Sequence, residues 1–296
     1  MGAGRIQSGF VTGESGLKLY WRSAGEGPAI VCCNGLGVST FFWKFVVAHF
    51  SDTHRVVVWD YVGHGQSDRP ASVDQVHTDM PSFARDLARI TQELDLGPAV
   101  LLGHSMGCQV ILEFALQHPD RVAGVVPILG TAGRVLDTFN DTALSYYGFK
   151  AIRRLARYTG QAFTEVFRVL VDNPIAWRVT LLTGQLDPYY AQREDFRPYL
   201  EHLAAFDPHL FLALVWDAHC HDLFPRLGYL AVPALVIAGE CDKFTPLWTS
   251  RKMAERIPGA ELMILADGSH AALIEQPEDI NHRLARFLEE RAAFGD

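Results

Sequence analysis

Residues 98–114 read PAVLLGHSMGCQVILEF, and the fold can be worked out from this stretch. The apolar run at 99–102 predicts a buried strand, and the residues after Gly107 predict a helix. Between them, GHSMG places Ser105 with a glycine two positions away on each side. Such a strand-turn-helix lifts a serine hydroxyl clear of the sheet, because small neighbours permit a strained and crowded backbone. Ser105 is therefore the candidate nucleophile.

Short, continuously apolar runs on both sides of this turn predict strands that are buried on both faces, as in a parallel sheet covered by helices. These runs are residues 29–33, 55–59, 99–102, 122–129, 233–239 and 261–265. Helices are predicted between them at residues 42–50, 80–96, 106–117, 246–257 and 277–292. A hairpin of mixed polarity at 6–12 and 17–23 precedes them at the edge of the sheet. Alternating strands and helices predict an α/β protein with a mostly parallel, doubly wound sheet.

The strand pattern stops between about residues 131 and 221. Helical runs are predicted there instead, and prolines separate them. The runs are residues 143–158, 161–172, 175–182 and 206–218, and the prolines are Pro174, Pro188, Pro198 and Pro208. We therefore expect a helical cap at residues 131–222, inserted into a core domain formed by residues 1–130 and 223–296. The cap is rich in aromatic residues, which suggests an apolar surface turned toward a pocket.

The net charge and the spacing of the cysteines limit the kinds of partner, cofactor and cellular compartment to be expected. The chain has 296 residues, with 26 Lys and Arg against 34 Asp and Glu, so a nucleic-acid partner is not expected and the substrate should be small. The five cysteines lack the spacing of a metal site, which indicates a reducing compartment and no metal or cofactor. No signal peptide or membrane-spanning run is visible. We expect a cytoplasmic monomer or homodimer with no membrane partner.

Two polar side chains follow predicted strands and complement the serine. A serine hydroxyl needs a base, and that base needs an acid to orient it. His270 comes soon after the strand at 261–265, and Asp242 comes soon after the strand at 233–239. The carboxyl ends of parallel strands line one crevice, so Ser105, Asp242 and His270 are expected to converge.

With these three residues in place, the chain resembles the α/β-hydrolase family over nearly its whole length. The matching motifs are GHSMG at 103–107, GECD at 239–242 with Pro246 soon after, GSH at 268–270, and DYVGHGQSDRP at 60–70. The order Ser105, Asp242, His270 is also the order of that family. The resemblance implies a Ser-His-Asp triad beneath a helical cap, which is inserted after the strand that follows the elbow helix.

The loop after the third predicted strand supplies the second half of the predicted site. Acyl transfer needs hydrogen-bond donors for the developing oxyanion, and one should be the backbone N–H of Met106. The loop reads Asn34-Gly35-Leu36-Gly37, and the family match assigns the second donor to the N–H of Leu36. Asn34 stands where the family commonly has histidine. It either holds the loop or offers its amide to the pocket, so Asn34 and Gly35 are candidate substrate-binding residues.

Other polar residues near the strand ends are given smaller roles. The side chain of His104 should point away from Ser105, and His64 is expected in loop packing or at the pocket rim. Glu240 and Asp137 are the rival acids, the latter because some relatives of the fold place their acid after the corresponding strand. Cys108 is expected in helix packing. Surface or hydrogen-bonded roles are expected for the cap histidines His202, His209, His219 and His221.

These features predict a serine hydrolase that cleaves small carboxylic esters without a cofactor. A serine at the elbow argues against the dehalogenase and epoxide-hydrolase branches of the family, which use a carboxylate nucleophile. Within the serine branch, lactonase, carbon-carbon bond hydrolase and cofactor-free perhydrolase activities remain open. A further alternative is a receptor on the same fold that binds a small ligand and turns it over slowly.

Overall fold

The computed structural model describes residues 6–139, 144–171, 173, 186, 189, 193–292 and 294. Within these residues an eight-stranded sheet runs in the order β1-β2-β4-β3-β5-β6-β7-β8. Its strands are β1 (Gln7–Thr12), β2 (Lys18–Ala24), β3 (Ala29–Cys33), β4 (Arg55–Trp59), β5 (Ala99–His104), β6 (Val122–Ile128), β7 (Leu235–Gly239) and β8 (Glu261–Leu265). β2 is antiparallel to β1 and β4, and the other neighbours are parallel. The predicted α/β-hydrolase fold is thereby confirmed.

Helices cover both faces of the sheet. In chain order they are α1 (Lys44–Phe50), α2 (Met80–Glu93), α3 (Met106–Gln117), α4 (Val135–Thr138), α5 (Leu144–Thr159), α6 (Gln161–Val171), α7 (Arg193–Ala204), α8 (Pro208–Cys220), α9 (Leu247–Arg256), α10 (Ala272–Glu275) and α11 (Pro277–Glu290). Adjacent strand residues alternate between two apolar clusters, Val31 in one and Ile30 in the other. The first cluster includes Phe83 of α2 and Phe114 of α3, and the second includes Phe287 of α11. This two-sided burial explains why β3, β5, β6 and β7 read as continuous apolar runs.

Local chemistry explains where the core helices begin. The side chain of Asp79 accepts a hydrogen bond from the N–H of Ser82 at 2.9 Å, so Asp79 caps α2. Pro81 follows in the first turn, where its missing N–H costs nothing. α3 begins directly after Ser105, so the length of β5 and the start of α3 fix the position of that residue.

The segment between β6 and β7 contains α4 to α8, and its two ends lie together. Gly133 and Asp222 form an antiparallel bridge, and the N–H of Leu223 donates to the carbonyl of Ala132 at 2.8 Å. The chain therefore leaves and rejoins the core at one place, which agrees with an insertion. The domain boundaries at 131 and 222 stay a prediction.

Two points of the sequence prediction concern this segment. The helix predicted at 175–182 lies outside the described residues. α7 was not predicted, because Pro198 was taken as a break, yet Pro198 lies inside that helix. Phe196 of α7 is buried in the second apolar cluster, and this burial offsets the backbone hydrogen bond that Pro198 cannot donate.

Among the residues that the structure describes, no helix is both long enough and apolar enough to cross a membrane.

Candidate active site

Ser105 occupies a strained turn between β5 and α3. Its backbone has φ 53° and ψ −115°, which a residue with a side chain adopts only at a cost of about 1–3 kcal/mol. A Cβ on Gly103 would lie 2.4 Å from the carbonyl oxygen of Gly107, and a Cβ on Gly107 would lie 2.2 Å from that of Cys33. Both glycines of GHSMG are therefore required by close backbone approach, as expected from the sequence.

The structure brings the serine, the histidine and one carboxylate into a chain of hydrogen bonds. The Nε2 atom of His270 lies 3.0 Å from Oγ of Ser105. The Nδ1 atom of the same ring lies 2.8 Å from Oδ2 of Asp242. The Asp242 side chain is fully buried and the His270 side chain is 17% exposed, so the pair is shielded while the imidazole keeps access to a ligand. This arrangement can move a proton from the hydroxyl to the imidazole.

The turn after β7 fixes the Asp242 carboxylate. Its Oδ1 accepts from the backbone N–H groups of Phe244 and Thr245 at 2.8 and 2.9 Å, and its Oδ2 accepts from the Thr245 hydroxyl at 2.8 Å. The ring of Phe244 also lies 4.8 Å from the His270 ring. Thr245 was not predicted from the sequence, although an aspartate followed by a threonine three positions later is a pattern in which side chains bond nearby backbone.

The loop after β3 lies against Ser105. A Cβ on Gly35 would come within 3.1 Å of Cβ of Ser105. Within the described part of the chain, neither the N–H of Leu36 nor that of Met106 donates a hydrogen bond to a protein acceptor. Two backbone donors in and beside this turn are thus free to bond a ligand. Their role, like the substrate contact of Gly35, stays a prediction.

The side chain of Asn34 is hydrogen-bonded inside the protein at the start of this loop. The residue is fully buried, and its Nδ2 donates to the carbonyl of Trp59 at 2.7 Å and to Oδ1 of Asp60 at 3.3 Å. Its Oδ1 accepts from the indole N–H of Trp43 at 2.8 Å. Because both amide atoms are already bonded inside the protein, the contacts favour the predicted role of holding the loop, and substrate binding by Asn34 stays a prediction.

Asp60 and His64 support the same loop from the stretch that follows β4. Oδ1 of Asp60 accepts from the N–H of Thr40 at 2.9 Å, and burial raises the pKa of this carboxyl to about 6. Nε2 of His64 accepts from the N–H of Gly37 at 3.2 Å, while its Nδ1–H donates to the carbonyl of Val62 at 3.1 Å. His64 is fully buried, so of its two predicted places the structure supports loop packing.

His104 is hydrogen-bonded to the backbone of His270, and the two imidazole rings lie 5.1 Å apart. Its Nε2–H donates to the carbonyl oxygen of His270 at 3.0 Å, and burial lowers the pKa of His104 to about 3. The side chain thus stays neutral and holds the segment that carries His270. This agrees with the structural role predicted for His104.

The rival acids do not reach His270. Asp137 forms an ion pair with Arg134 at 2.5 Å, and Glu240 is exposed. The cap histidine His221 is hydrogen-bonded, as expected, to Oε1 of Gln109 at 2.9 Å. Over the described ranges, no group of three or more His, Cys, Asp or Glu side chains is placed to hold a metal ion.

Helices α7 and α8 pack directly on the loops beside Ser105. Leu203 and Phe211 carbons lie 3.3 and 3.6 Å from the position of a Cβ on Gly37. The ring of Phe206 lies 4.6 Å from that of His64. The contacts that Leu203, Phe206 and Phe211 make with these loops are therefore apolar and partly aromatic.

Residues 28–277 match the family model described as the alpha/beta hydrolase fold, and the chain belongs to this family. It is 28% identical over 282 residues to a 2-hydroxy-6-oxononadienedioate/2-hydroxy-6-oxononatrienedioate hydrolase of Paraburkholderia xenovorans, covering 93% of this chain and 92% of that one. Among solved structures, it resembles Est816, described as an N-acyl homoserine lactone degrading enzyme, with TM-score 0.74, 26% identity and coverage of 94% and 100%. The enol-lactonase of Burkholderia xenovorans shares the fold, with TM-score 0.76, 24% identity and coverage of 95% and 100%. The chain is a hydrolase of the alpha/beta fold.

The buried His64 makes the fold sensitive to acid. Burial lowers its pKa from 6.5 to about 3, so below pH 6.5 the unfolded chain takes up a proton that the folded protein does not. Stability is therefore lost as the pH falls. His64→Gln removes the titrating ring, and the side-chain oxygen of glutamine can still accept from the N–H of Gly37. Between about pH 8 and pH 5 the free energy of unfolding should fall in both proteins, but by about 2 kcal/mol less in the variant than in the wild type.

Urea unfolding at both pH values measures this difference. The same substitution at the exposed His282 should leave the acid sensitivity unchanged. Equal acid sensitivity in the wild type and His64→Gln would show that His64 is protonated in the folded protein.

Proposed function

We propose that this protein is a serine hydrolase that cleaves small carboxylic esters through an acyl-enzyme. The observation that carries the proposal is the chain of hydrogen bonds from Oγ of Ser105 through His270 to Asp242, with distances of 3.0 and 2.8 Å. A serine hydroxyl becomes a useful nucleophile when a base this close takes its proton.

The steps follow from the geometry. Oγ of Ser105 attacks the ester carbonyl while Nε2 of His270 takes the hydroxyl proton, and Asp242 balances the imidazolium that forms. The N–H groups of Leu36 and Met106 hold the oxyanion of the tetrahedral intermediate. As the intermediate collapses, the alkoxide leaves with the proton from His270. Water then repeats the sequence on the acyl-enzyme, releases the carboxylic acid and restores Ser105.

The surroundings of the site favour an uncharged acyl group of modest size. Phe244 lies against the His270 ring, and Leu203 and Phe211 cover the loop that carries Leu36. An apolar wall of this kind stabilises carbon chains and penalises an unpaired charge.

Carbon-carbon bond hydrolysis is the second candidate. It is favoured by the similarity to the Paraburkholderia xenovorans protein, which spans 93% of this chain. Such a substrate is cleaved next to a ketone and releases a carbon leaving group instead of an alkoxide. The same three side chains can serve either reaction, so the choice of substrate separates them.

Covalent labelling tests the mechanism. A fluorophosphonate should modify the wild type at Ser105, as read by peptide mass mapping, and prior incubation with substrate should slow the labelling. An adduct on any other residue contradicts the proposal.

A substrate panel tests the reaction class. Initial rates on p-nitrophenyl esters of increasing chain length should exceed those on a vinylogous diketone and on lactones. Faster turnover of the diketone favours the second candidate. Turnover too slow to exceed one event per protein molecule would favour a receptor.

A further inference from the structure

Helix α5 carries a row of cations on one face. Lys150, Arg153, Arg154 and Arg157 follow the spacing i, i+3, i+4, i+7, which places them side by side along the helix. The helix sequence LSYYGFKAIRRLARYT contains no aspartate or glutamate. Like charges at these spacings destabilise a helix. The four cations therefore repel one another, and no acidic residue on the helix offsets this repulsion.

No acid elsewhere in the described residues neutralises this row. None of the four side chains forms a salt bridge there, whereas Arg85 and Arg89 of α2 both pair with Glu14. The contacts that do exist are with rings. Arg153 lies 4.7 Å from the centre of the Trp216 ring, and Arg154 lies 5.8 Å from that of Tyr158. In a chain of net charge -8, this local excess of positive charge is conspicuous.

The row lines a cavity. The cations share a space of about 560 Å³ with Tyr158 of α5 and Trp216 of α8. This volume falls within the range of about 300–1,000 Å³ that is usual for small-molecule sites. Among the described residues, none that lines this cavity belongs to the site at Ser105.

We propose that this cavity binds a small organic anion with at least two carboxylate or phosphate groups. Planar guanidinium groups hold carboxylates and phosphates through paired hydrogen bonds, and Arg153, Arg154 and Arg157 supply three of them. The rings of Trp216 and Tyr158 offer an apolar surface to the carbon part of the ligand. A second copy of this chain is not expected to bind here, because a two-fold dimer contact would place two cationic rows face to face and they would repel each other. A concave site also fits a small ligand better than a flat lipid surface.

Calorimetric titration of the whole protein tests the proposal, with citrate and inorganic pyrophosphate as separate probes. At least one should bind at one site per chain, and added salt should weaken the binding. In R153Q/R157Q the affinity should fall at least tenfold. The matched control is R85Q/R89Q, which removes two arginines at the same i,i+4 spacing whose charges are paired with Glu14. It should bind like the wild type. The two probes distinguish a carboxylate ligand from a phosphate ligand.

Several results would overturn the proposal. The first is that neither probe binds the wild type, and the second is that R153Q/R157Q binds as tightly as the wild type. The third is that R85Q/R89Q loses as much affinity as R153Q/R157Q, and the fourth is that the protein binds anionic phosphatidylglycerol vesicles but neither probe. The thermal midpoint of R153Q/R157Q should stay near that of the wild type, because the relief of like-charge repulsion offsets the lost contact between Arg153 and the Trp216 ring. If that variant fails to fold, K150Q/R154Q removes the alternate pair and must show the same loss. The titration does not involve ester hydrolysis, so either proposal can fail alone.

Discussion

Replacing Ser105 by alanine should lower kcat for ester hydrolysis by at least about 10⁴-fold, because no other group in the site can form the acyl-enzyme. The fold should be retained. The hydroxyl contacts only His270 among the described side chains, and alanine keeps the Cβ that already occupies the strained backbone. The free energy of unfolding should therefore change by less than about 1 kcal/mol. Steady-state hydrolysis of a p-nitrophenyl ester, with urea unfolding of the same sample, measures both quantities.

Ser145→Ala is the matched control for this change. Ser145 lies at the start of α5, and its hydroxyl donates to the carbonyl of Phe139 at 2.9 Å, away from the proposed triad. Removal of the Ser145 hydroxyl should leave kcat within about twofold of the wild-type value. Retention of activity within tenfold in Ser105→Ala, once wild-type contamination is excluded, would rule out the proposed nucleophile.

The core could be predicted from sequence because its signals are local. β3, β4 and β8 begin and end where the apolar runs do, and the elbow follows from two glycines whose missing side chains make room for backbone. α7 could not be predicted in this way. Its proline is unfavourable locally, and only the burial of Phe196 against residues distant in sequence makes the helix stable.

The same distinction holds within the site. Ser105, Asp242 and His270 each follow a strand, so the direction of the parallel sheet predicts that they meet. The support of the loop after β3 depends on hydrogen bonds from Asn34 to Asp60 and from Gly37 to His64. These bonds require that two loops lie side by side, and no pattern in either loop specifies the partner. The sequence therefore leaves the role of Asn34 open, whereas the hydrogen bonds of its side chain in the structure favour loop support.

Asp242→Asn should lower kcat by about 10⁴-fold while the protein stays folded. The amide oxygen of asparagine can replace Oδ1, which accepts from the N–H groups of Phe244 and Thr245. The amide nitrogen must then face Nδ1 of His270 in place of Oδ2. This N–H group donates a hydrogen bond to Nδ1, which favours the tautomer in which Nδ1 is unprotonated and the ring proton is on Nε2. The imidazole then has no free nitrogen to accept the Ser105 proton, and catalysis is lost although the contacts are kept.

Asp137→Asn provides the comparison, since Asp137 is one of the two rival carboxylates considered for the acid. Its only ion pair in the described residues is with Arg134, and both side chains are more than one-third exposed, at 38% and 56%. Such surface pairs contribute about 0–1 kcal/mol, so Asp137→Asn should keep kcat/KM within twofold and unfold at nearly the wild-type urea concentration. A larger loss in Asp137→Asn than in Asp242→Asn would transfer the role of the acid to the strand after the elbow helix. Equal, small losses in both would mean that His270 keeps its tautomer without a carboxylate.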